Sequence, residues 1–365
     1  MVLAYNQAVV ETTSEQLLFN IARARHHEPI HFTGVSHIAA TLNFQFNAGA
    51  TPALTGSNGA LLAPIFGGNI SENPTISIIP IGGEEFTKRL LAPIPESKLT
   101  FLLRQGADID KILRLMAEEF RELKNGAEVI YYNRPSDQSG YPVFRRILLH
   151  LSSIQDRRHL HVDPLIIQRK WTLPPESMAP EGFLKLHDTF SITYNPESRL
   201  YILSQSLPGR VLIMNYDPDL LSNEERARLN EEASQGPDNE ISVDIRPEFP
   251  GGEYPVRGRF RLRSFHGILT FIGRSIADEP EYDVQKDPRT PTVSENPVSA
   301  LGILESKRAP SDGALSVKVN GYYYGLRPDT GVHWNRDAFR LLYSLFQMTV
   351  TELPQRAGPG ITIAK

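Results

Sequence analysis

Along this chain the spacing of apolar residues alternates between a helical period and a strand period. Leu17, Leu18, Ile21 and Ala22 make one apolar face over residues 14–26, and Pro29 marks the stop of a predicted first helix. Thr13 with Gln16, and Thr12 with Glu15, have capping-box spacing and place its start near Ser14. From Ile30 to Phe46 the period becomes two. Leu42, Phe44 and Phe46 share one side of a half-buried strand. Residues 47–73, rich in Gly, Ala, Pro and Asn, read as a long loop or loose hairpin, and 75–80 as a further strand.

Short helices are predicted at 84–91 and from Ser97. Asp108 or Asp110 caps a stronger one carrying Ile109, Ile112, Leu113, Met116, Phe120 and Leu123, with Asn125-Gly126 as its stop. A helix at 143–155 and a strand at 165–171 follow. Residues 189–194 and 199–204 read as a hairpin, with 210–214 as a third strand. Ser222 and Glu225 open a polar helix, and a strand at 256–262 feeds an apolar helix at 264–276. Asn320-Gly321 is a strong hairpin turn between 314–319 and 322–326. Ala338, Leu341, Leu342, Leu345 and Phe346 define a last helix, and 361–364 an edge strand.

Strands in clusters separated by helices predict an α+β fold: mixed, largely antiparallel sheets with packed helices and long surface loops. The expected divisions are an N-terminal α+β region at 1–160 and a β-rich region with a helical excursion at 161–277. A Pro-rich linker or long loop at 278–313 and a C-terminal hairpin-helix-strand region at 314–365 complete them. These regions pack as one or two domains.

Charge narrows the partners. With 38 basic and 42 acidic residues the net charge of −4 shows no polycationic character, so nucleic acid is not an expected partner. The absence of cysteine excludes thiolate metal sites, disulfides and a thiol nucleophile. No run approaches the roughly 20 apolar residues of a spanning helix, and the first residues have no signal-peptide pattern. Neither Gly67-Gly68-Asn69 nor Gly82-Gly83-Glu84 completes a nucleotide-binding motif, no Gly-x-Ser-x-Gly elbow occurs, and no cofactor is expected.

Two features suggest binding faces. Arg257, Arg259, Arg261 and Arg263 alternate with Gly258, Phe260 and Leu262, making one basic strand face: a solvated surface or a contact for an anionic partner. Tyr322 and Tyr324 share a strand face, as half-buried packing or as a platform for sugars or an interface. His159, His161 and Asp163 are the candidate metal-ligand group, and no His-Glu-x-x-His motif accompanies them. His26 and His27 close the first helix, where they complement its carbonyl end.

The stretch Gln16 to Arg25, followed by Glu28-Pro29-Ile30-His31-Phe32, resembles the opening of a family of uncharacterised bacterial envelope proteins, many of them predicted lipoproteins. Asn73-Pro74-Thr75-Ile76 leading to Gly83-Glu84-Glu85-Phe86, and Pro359-Gly360-Ile361-Thr362-Ile363 after the last helix, extend the similarity. The resemblance implies export and anchoring at the outer membrane through a lipidated cysteine, which this sequence does not contain. It implies no reaction and no catalytic residues. The expectation is a non-catalytic structural or accessory component of a bacterial envelope-associated assembly, periplasmic or attached peripherally to the outer membrane. Its partners are proteins or further copies of itself. The alternative is a carbohydrate-binding or carbohydrate-processing periplasmic protein with a polysaccharide partner.

Overall fold

The computed structural model describes residues 2–52, 62–124, 126–177, 185–310, 314–329, 332–350 and 361–363, with side chains described outside 2–5, 34–81, 350 and 361–363. Helix α1 (Val2–Arg25) leads into a hairpin of two long strands, β1 (Phe32–Pro52) and β2 (Leu62–Ile81). Three short helices follow: α2 (Glu84–Leu91), α3 (Glu96–Arg104) and α4 (Ile109–Met116). Next come β3 (Ala117–Lys124), β4 (Ala127–Tyr132), α5 (Gly140–Asp156), β5 (His161–Leu173), β6 (Ser191–Asn195) and β7 (Leu200–Met214). Helix α6 (Asn223–Ser234), β8 (Glu240–Ile245), β9 (Val256–Leu262) and α7 (Phe265–Ser275) complete the central part. The chain ends with β10 (Ile303–Ser306), β11 (Ser316–Val319), β12 (Tyr322–Leu326), α8 (Trp334–Val350) and β13 (Ile361–Ile363).

Strands β4-β3-β9-β8-β7-β5, with β6 beside β7, form a seven-stranded mixed sheet whose one parallel pair is β7 with β8. The fold is α+β. Two-residue alternation sorts the sheet's side chains. Ile213 of β7 and Ile241, Val243 and Ile245 of β8 enter the main core, which also takes Phe120 and Phe260 and the apolar faces of α1, α4, α5, α7 and α8. Leu212 and Met214 face the other way and meet Leu229 and Ala233 of α6 in a smaller cluster. The main core draws residues from 1–160, 161–277 and 314–365 alike, together with Ala300, Leu301 and Ile303.

The structure departs from the sequence expectation in several places, among them β7, a single strand over Leu200–Met214 where the pattern predicts two at 199–204 and 210–214. Helix α1 begins at Val2, and Thr13 and Ser14 lie inside it, donating to the carbonyls of Val9 (2.8 Å) and Val10 (2.7 Å). Their hydroxyls bond back along the helix instead of capping it. The helix capped by Asp108 stops at Met116, and Ala117–Lys124 is the strand β3. Phe120 stacks on Phe260 (ring centroids 4.6 Å apart), and Gly258 lets the two backbones meet, because a Cβ there would lie 2.2 Å from the Arg121 carbonyl oxygen. Lys124 pairs with Ala127, so the expected helix stop closes a hairpin. Residues 47–52 and 62–73 are strand, while 53–61 of the expected loop, and Ala364, lie outside the described residues.

The Pro-rich stretch after α7 is tied to the body by buried guanidinium groups. Arg114, fully buried, donates to Glu281 (2.6 Å) and to the carbonyls of Pro297 (2.7 Å) and Val298 (2.5 Å). Arg145 pairs with Asp110 and reaches Asn296 (3.0 Å), and His150 lies 3.2 Å from the Thr290 hydroxyl. Burial pushes the His150 imidazole down from its ordinary pKa, favouring the neutral ring. Two desolvated charges hold each other only while both partners stay. Arg114→Ala therefore strands Glu281: denaturant melts are expected to show a loss of about 3–5 kcal/mol, with protease cleavage appearing first between residues 281 and 298.

Candidate functional site

The arginine stripe of β9 is a lattice of ion pairs. Arg257 meets Glu232 of α6 at 2.5 Å, Arg259 meets Glu128 of β4 at 3.0 Å and Glu240 of β8 at 3.4 Å, and Arg261 lies 3.8 Å from Glu119 of β3. Arg121 of β3 joins at 2.6 Å from Glu119. Antiparallel register causes this, setting Arg259 opposite Arg121 and Ser242, and Arg261 opposite Glu119 and Glu240. Glu119 and Glu240 are only 4% and 5% exposed, so the positive charge is matched from below. Arg263 lies beyond the strand and is buried, donating to the carbonyls of Asn133 (2.7 Å), Leu115 (3.3 Å) and Arg114 (3.4 Å), with its guanidinium 4.0 Å from the Phe271 ring centroid. Burial brings its pKa down to about 10. The stripe that alternation predicts is present, and internal carboxylates and carbonyls already use it.

The tyrosine strand is divided in the same way. Tyr324 is fully buried, and its hydroxyl donates to Glu305 (3.1 Å) and lies 2.8 Å from His26 Nε2. Burial, with Glu305 beside it, pushes its phenol pKa up. Tyr322 is half-buried, with Lys307 5.8 Å above its ring. Asn320 and Gly321 both take positive φ, the requirement of the tight turn predicted there. His161 lies 3.9 Å from Asp163, which Arg104 approaches at 3.7 Å, while His159 is exposed before the strand begins. Among the described residues no three His, Cys, Asp or Glu side chains gather to hold a metal ion.

Two of the surface cavities bear on candidate chemistry. One of about 270 Å³ lies beside Arg263, Ser264 and His266. Its Ser264 hydroxyl accepts the Gly267 N–H at 3.0 Å as the cap of α7, and His266 faces Thr270 at 3.5 Å, so no serine–histidine pair forms. The other, about 640 Å³, runs between α3, α4 and α8 and brings Asp108 and Asp337 beside Phe101 and Tyr343. Lys111 lies 3.7 Å from Asp337 and 4.4 Å from the Trp334 ring centroid. Asp108 caps α4 by accepting the Lys111 N–H (2.9 Å), and burial raises its pKa to about 6.

The feature of largest extent is the β1–β2 hairpin, paired from Phe32↔Ile81 out to Pro52↔Leu62 with one irregularity between Val35 and His37. At 21 and 20 residues its strands far exceed the usual length and reach about 65 Å at ~3.3 Å per residue. Its root is built tightly. Buried Asn20 of α1 clasps the His31 backbone, donating to its carbonyl (2.8 Å) and accepting its N–H (2.9 Å), and Gln16 accepts the Thr33 N–H (2.7 Å). Phe32 then enters an aromatic cluster, with ring centroids 4.6 Å from Phe346, 6.3 Å from Phe86 and 6.4 Å from Phe265. Among the described residues only β13 adds to the hairpin, covering Ile76–Ile78 of β2. Sequence reasoning located Leu42, Phe44 and Phe46 but stopped there. The signal beyond them is a continued alternation through Ala48 and Ala50, muted because the apolar residues are small.

Asp108 gives a pH test of the groove. Its folded pKa of about 6 exceeds its ordinary value of 3.8, so between these the folded chain holds a proton that the unfolded chain releases. The stability this group contributes is complete below 3.8 and lost as pH rises through about 6. Asp108→Asn keeps an N-cap and removes the charge. Thermal melts across pH are expected to show the variant above the native protein beyond pH 6, with the gap closing toward pH 4. No family model matches the chain, and no curated protein or solved structure matches it.

Proposed function

We propose that the chain is a non-catalytic structural component of a bacterial envelope-associated assembly, in which copies of the chain associate through the β1–β2 hairpin. The observation that supports this reading is the hairpin's edges. Among the described residues, most of both outer edges has no paired strand, while the root is fixed in the core by Asn20 and Phe32. Long unpaired rows of N–H and C=O groups are the usual template for adding a neighbour's strand, and natural proteins otherwise shorten or charge such edges. This one is neither short nor charged, since the only Asp, Glu, Lys or Arg between Ile30 and Gly83 is Glu72. The resemblance to envelope proteins supplies the compartment in this reading.

Light scattering on the purified chain in mild detergent tests it. The native protein is expected as a defined oligomer, and a variant with residues 40–74 replaced by a short Gly-Ser turn as a monomer with an unchanged melt of the body. A native protein that is strictly monomeric at every concentration sinks the proposal.

A second reading, carbohydrate binding, draws on the groove between α3, α4 and α8. Phe101 is 57% exposed there beside two carboxylates, the combination of apolar face and acceptors that suits a sugar. Calorimetric titration with bacterial polysaccharide fragments is expected to give binding that Phe101→Ala weakens about tenfold; no heat with any fragment removes this reading.

A further inference from the structure

Strand period and register together place the outer half of the hairpin in a particular chemical class. Toward the tip, positions 44, 46, 48 and 50 of β1 fall on one face and are Phe, Phe, Ala and Ala. Their register partners on β2 are Ile70, Gly68, Phe66 and Pro64. The opposite face takes Gln45, Asn47, Gly49 and Thr51, paired with Asn69, Gly67, Ile65 and Ala63. One face is therefore wholly apolar or small. The other is polar without a single charge, Ile65 being its one large apolar position.

A water-facing sheet in this protein looks different. On β3 and β9 the solvent side is built from Arg and Glu, in keeping with a chain of 22% charged residues. The polar residues on the hairpin's other side, Gln45, Asn47, Thr51 and Asn69, are amides and a hydroxyl with no charge among them, which suit a lumen whose opposite face meets hydrocarbon. The first charge met on leaving the tip is Glu72, opposite Leu42, just past the Phe44↔Ile70 pair. The uncharged span from Phe44 to Pro52 is nine positions, and a strand crossing a bilayer needs about 9–11 residues. Within this span Pro52 and Pro64, both in the last three pairs at the tip, are the residues without a backbone donor. Residues 53–61, which join the strands, carry no charge in sequence. No described helix is long and apolar enough to cross a membrane.

We infer that the outer half of the β1–β2 hairpin crosses a lipid bilayer as two strands of a β-barrel whose remaining strands come from further copies of this chain. The inference rests on the assembly reading above and deepens it. Hydrocarbon supplies no hydrogen bonds, so a lone hairpin cannot stay there with open edges; only a closed ring satisfies its backbone. Known barrels have eight strands or more, and at two per copy the ring needs at least about four copies. In this arrangement the face that holds positions 44, 46 and 66 is the lipid side, the face that holds 45, 47 and 69 is the lumen side, and the α+β body stays in water at the Glu72 end.

Adjacent positions on opposite faces make the test. The purified full chain is mixed with vesicles of equal parts phosphatidylcholine and phosphatidylglycerol loaded with calcein. Flotation, dye release and planar-bilayer reversal potential are then read for the native chain, Phe46→Arg and Asn47→Arg. The native chain is expected to float with the vesicles and release dye. Phe46→Arg lowers release about thirtyfold, because its guanidinium must enter hydrocarbon. Asn47→Arg keeps release and shifts selectivity toward anions. Equal melting temperatures of the body in all three proteins show that folding is intact. The inference is overturned if the native chain neither floats nor leaks, or if the two variants behave alike. An oligomer in detergent that ignores vesicles sinks this inference and leaves the assembly reading standing; a monomer in both media removes both.

Discussion

The knot at the foot of the hairpin is the contact on which the other parts of the structure converge. Phe32 meets Phe86 of α2, Phe265 of α7 and Phe346 of α8, while Asn20 of α1 holds the residue just before it. Four helices and the first strand thus share one cluster. Full burial of each such ring contributes about 1.5–3 kcal/mol, and the edge-on Phe32–Phe86 contact adds to it. The geometry also fixes direction: β1 leaves the core between two hydrogen bonds to Asn20, so the hairpin starts from a rigid base. Gly83, with φ of 96°, lets the returning chain turn straight into α2, which carries Phe86 back to the same cluster. Exit and return are clamped by one set of rings.

Charge is spent inward in this protein. Arg114, Arg145 and Arg263 are buried and donate to carboxylates and carbonyls, and the stripe of β9 is neutralised across strands. Buried pairs of this kind cost desolvation and are weak evidence for net stability, but removing one partner is severe. Their effect here is positional: they fasten residues 281–298, which have few apolar side chains, onto α4 and α5. A stretch that composition marks as a linker is bound by polar contacts of very high sequence separation, which no local pattern displays.

Local pattern was sufficient wherever local interactions decide. Helix α2, strand β9 and the Asn320-Gly321 hairpin occur where residue spacing and turn chemistry place them, and Ser222, Ser264 and Asp108 cap the helices they were expected near. The misreading of β3 has a definite cause. Met116, Phe120 and Leu123 continue a helical period from α4 by coincidence, and what overrides it is pairing on both sides with β4 and β9. Strand β8 went unread because its outward positions Glu240, Ser242 and Asp244 look like loop chemistry until the neighbouring arginines are in place. The candidate residues fared similarly. Arg257, Arg259 and Arg261 lie side by side as alternation requires, yet their meaning as an ion-pair lattice depends on carboxylates over a hundred residues away in sequence, such as Glu128.

The hairpin shows why a search for motifs passes over a function of this kind. Nucleophiles, metal ligands and phosphate cradles announce themselves because chemistry demands particular side chains at particular spacings. A bilayer-crossing strand demands only a period of two, the absence of charge and sufficient length, and it meets these with Ala, Gly, Thr and Asn as readily as with Phe. Each residue of positions 44–52 is unremarkable alone. The information lies in the register, which sets Phe44 opposite Ile70 and Gln45 opposite Asn69 and so gathers the aromatic residues on one face and the amides on the other. The first of the two conditions on the proposed device, a rigid anchor at its root, is supplied by Asn20 and Phe32. The second, a closed ring of strands, cannot be met by one chain, and this makes assembly of copies the step on which the proposed membrane role depends.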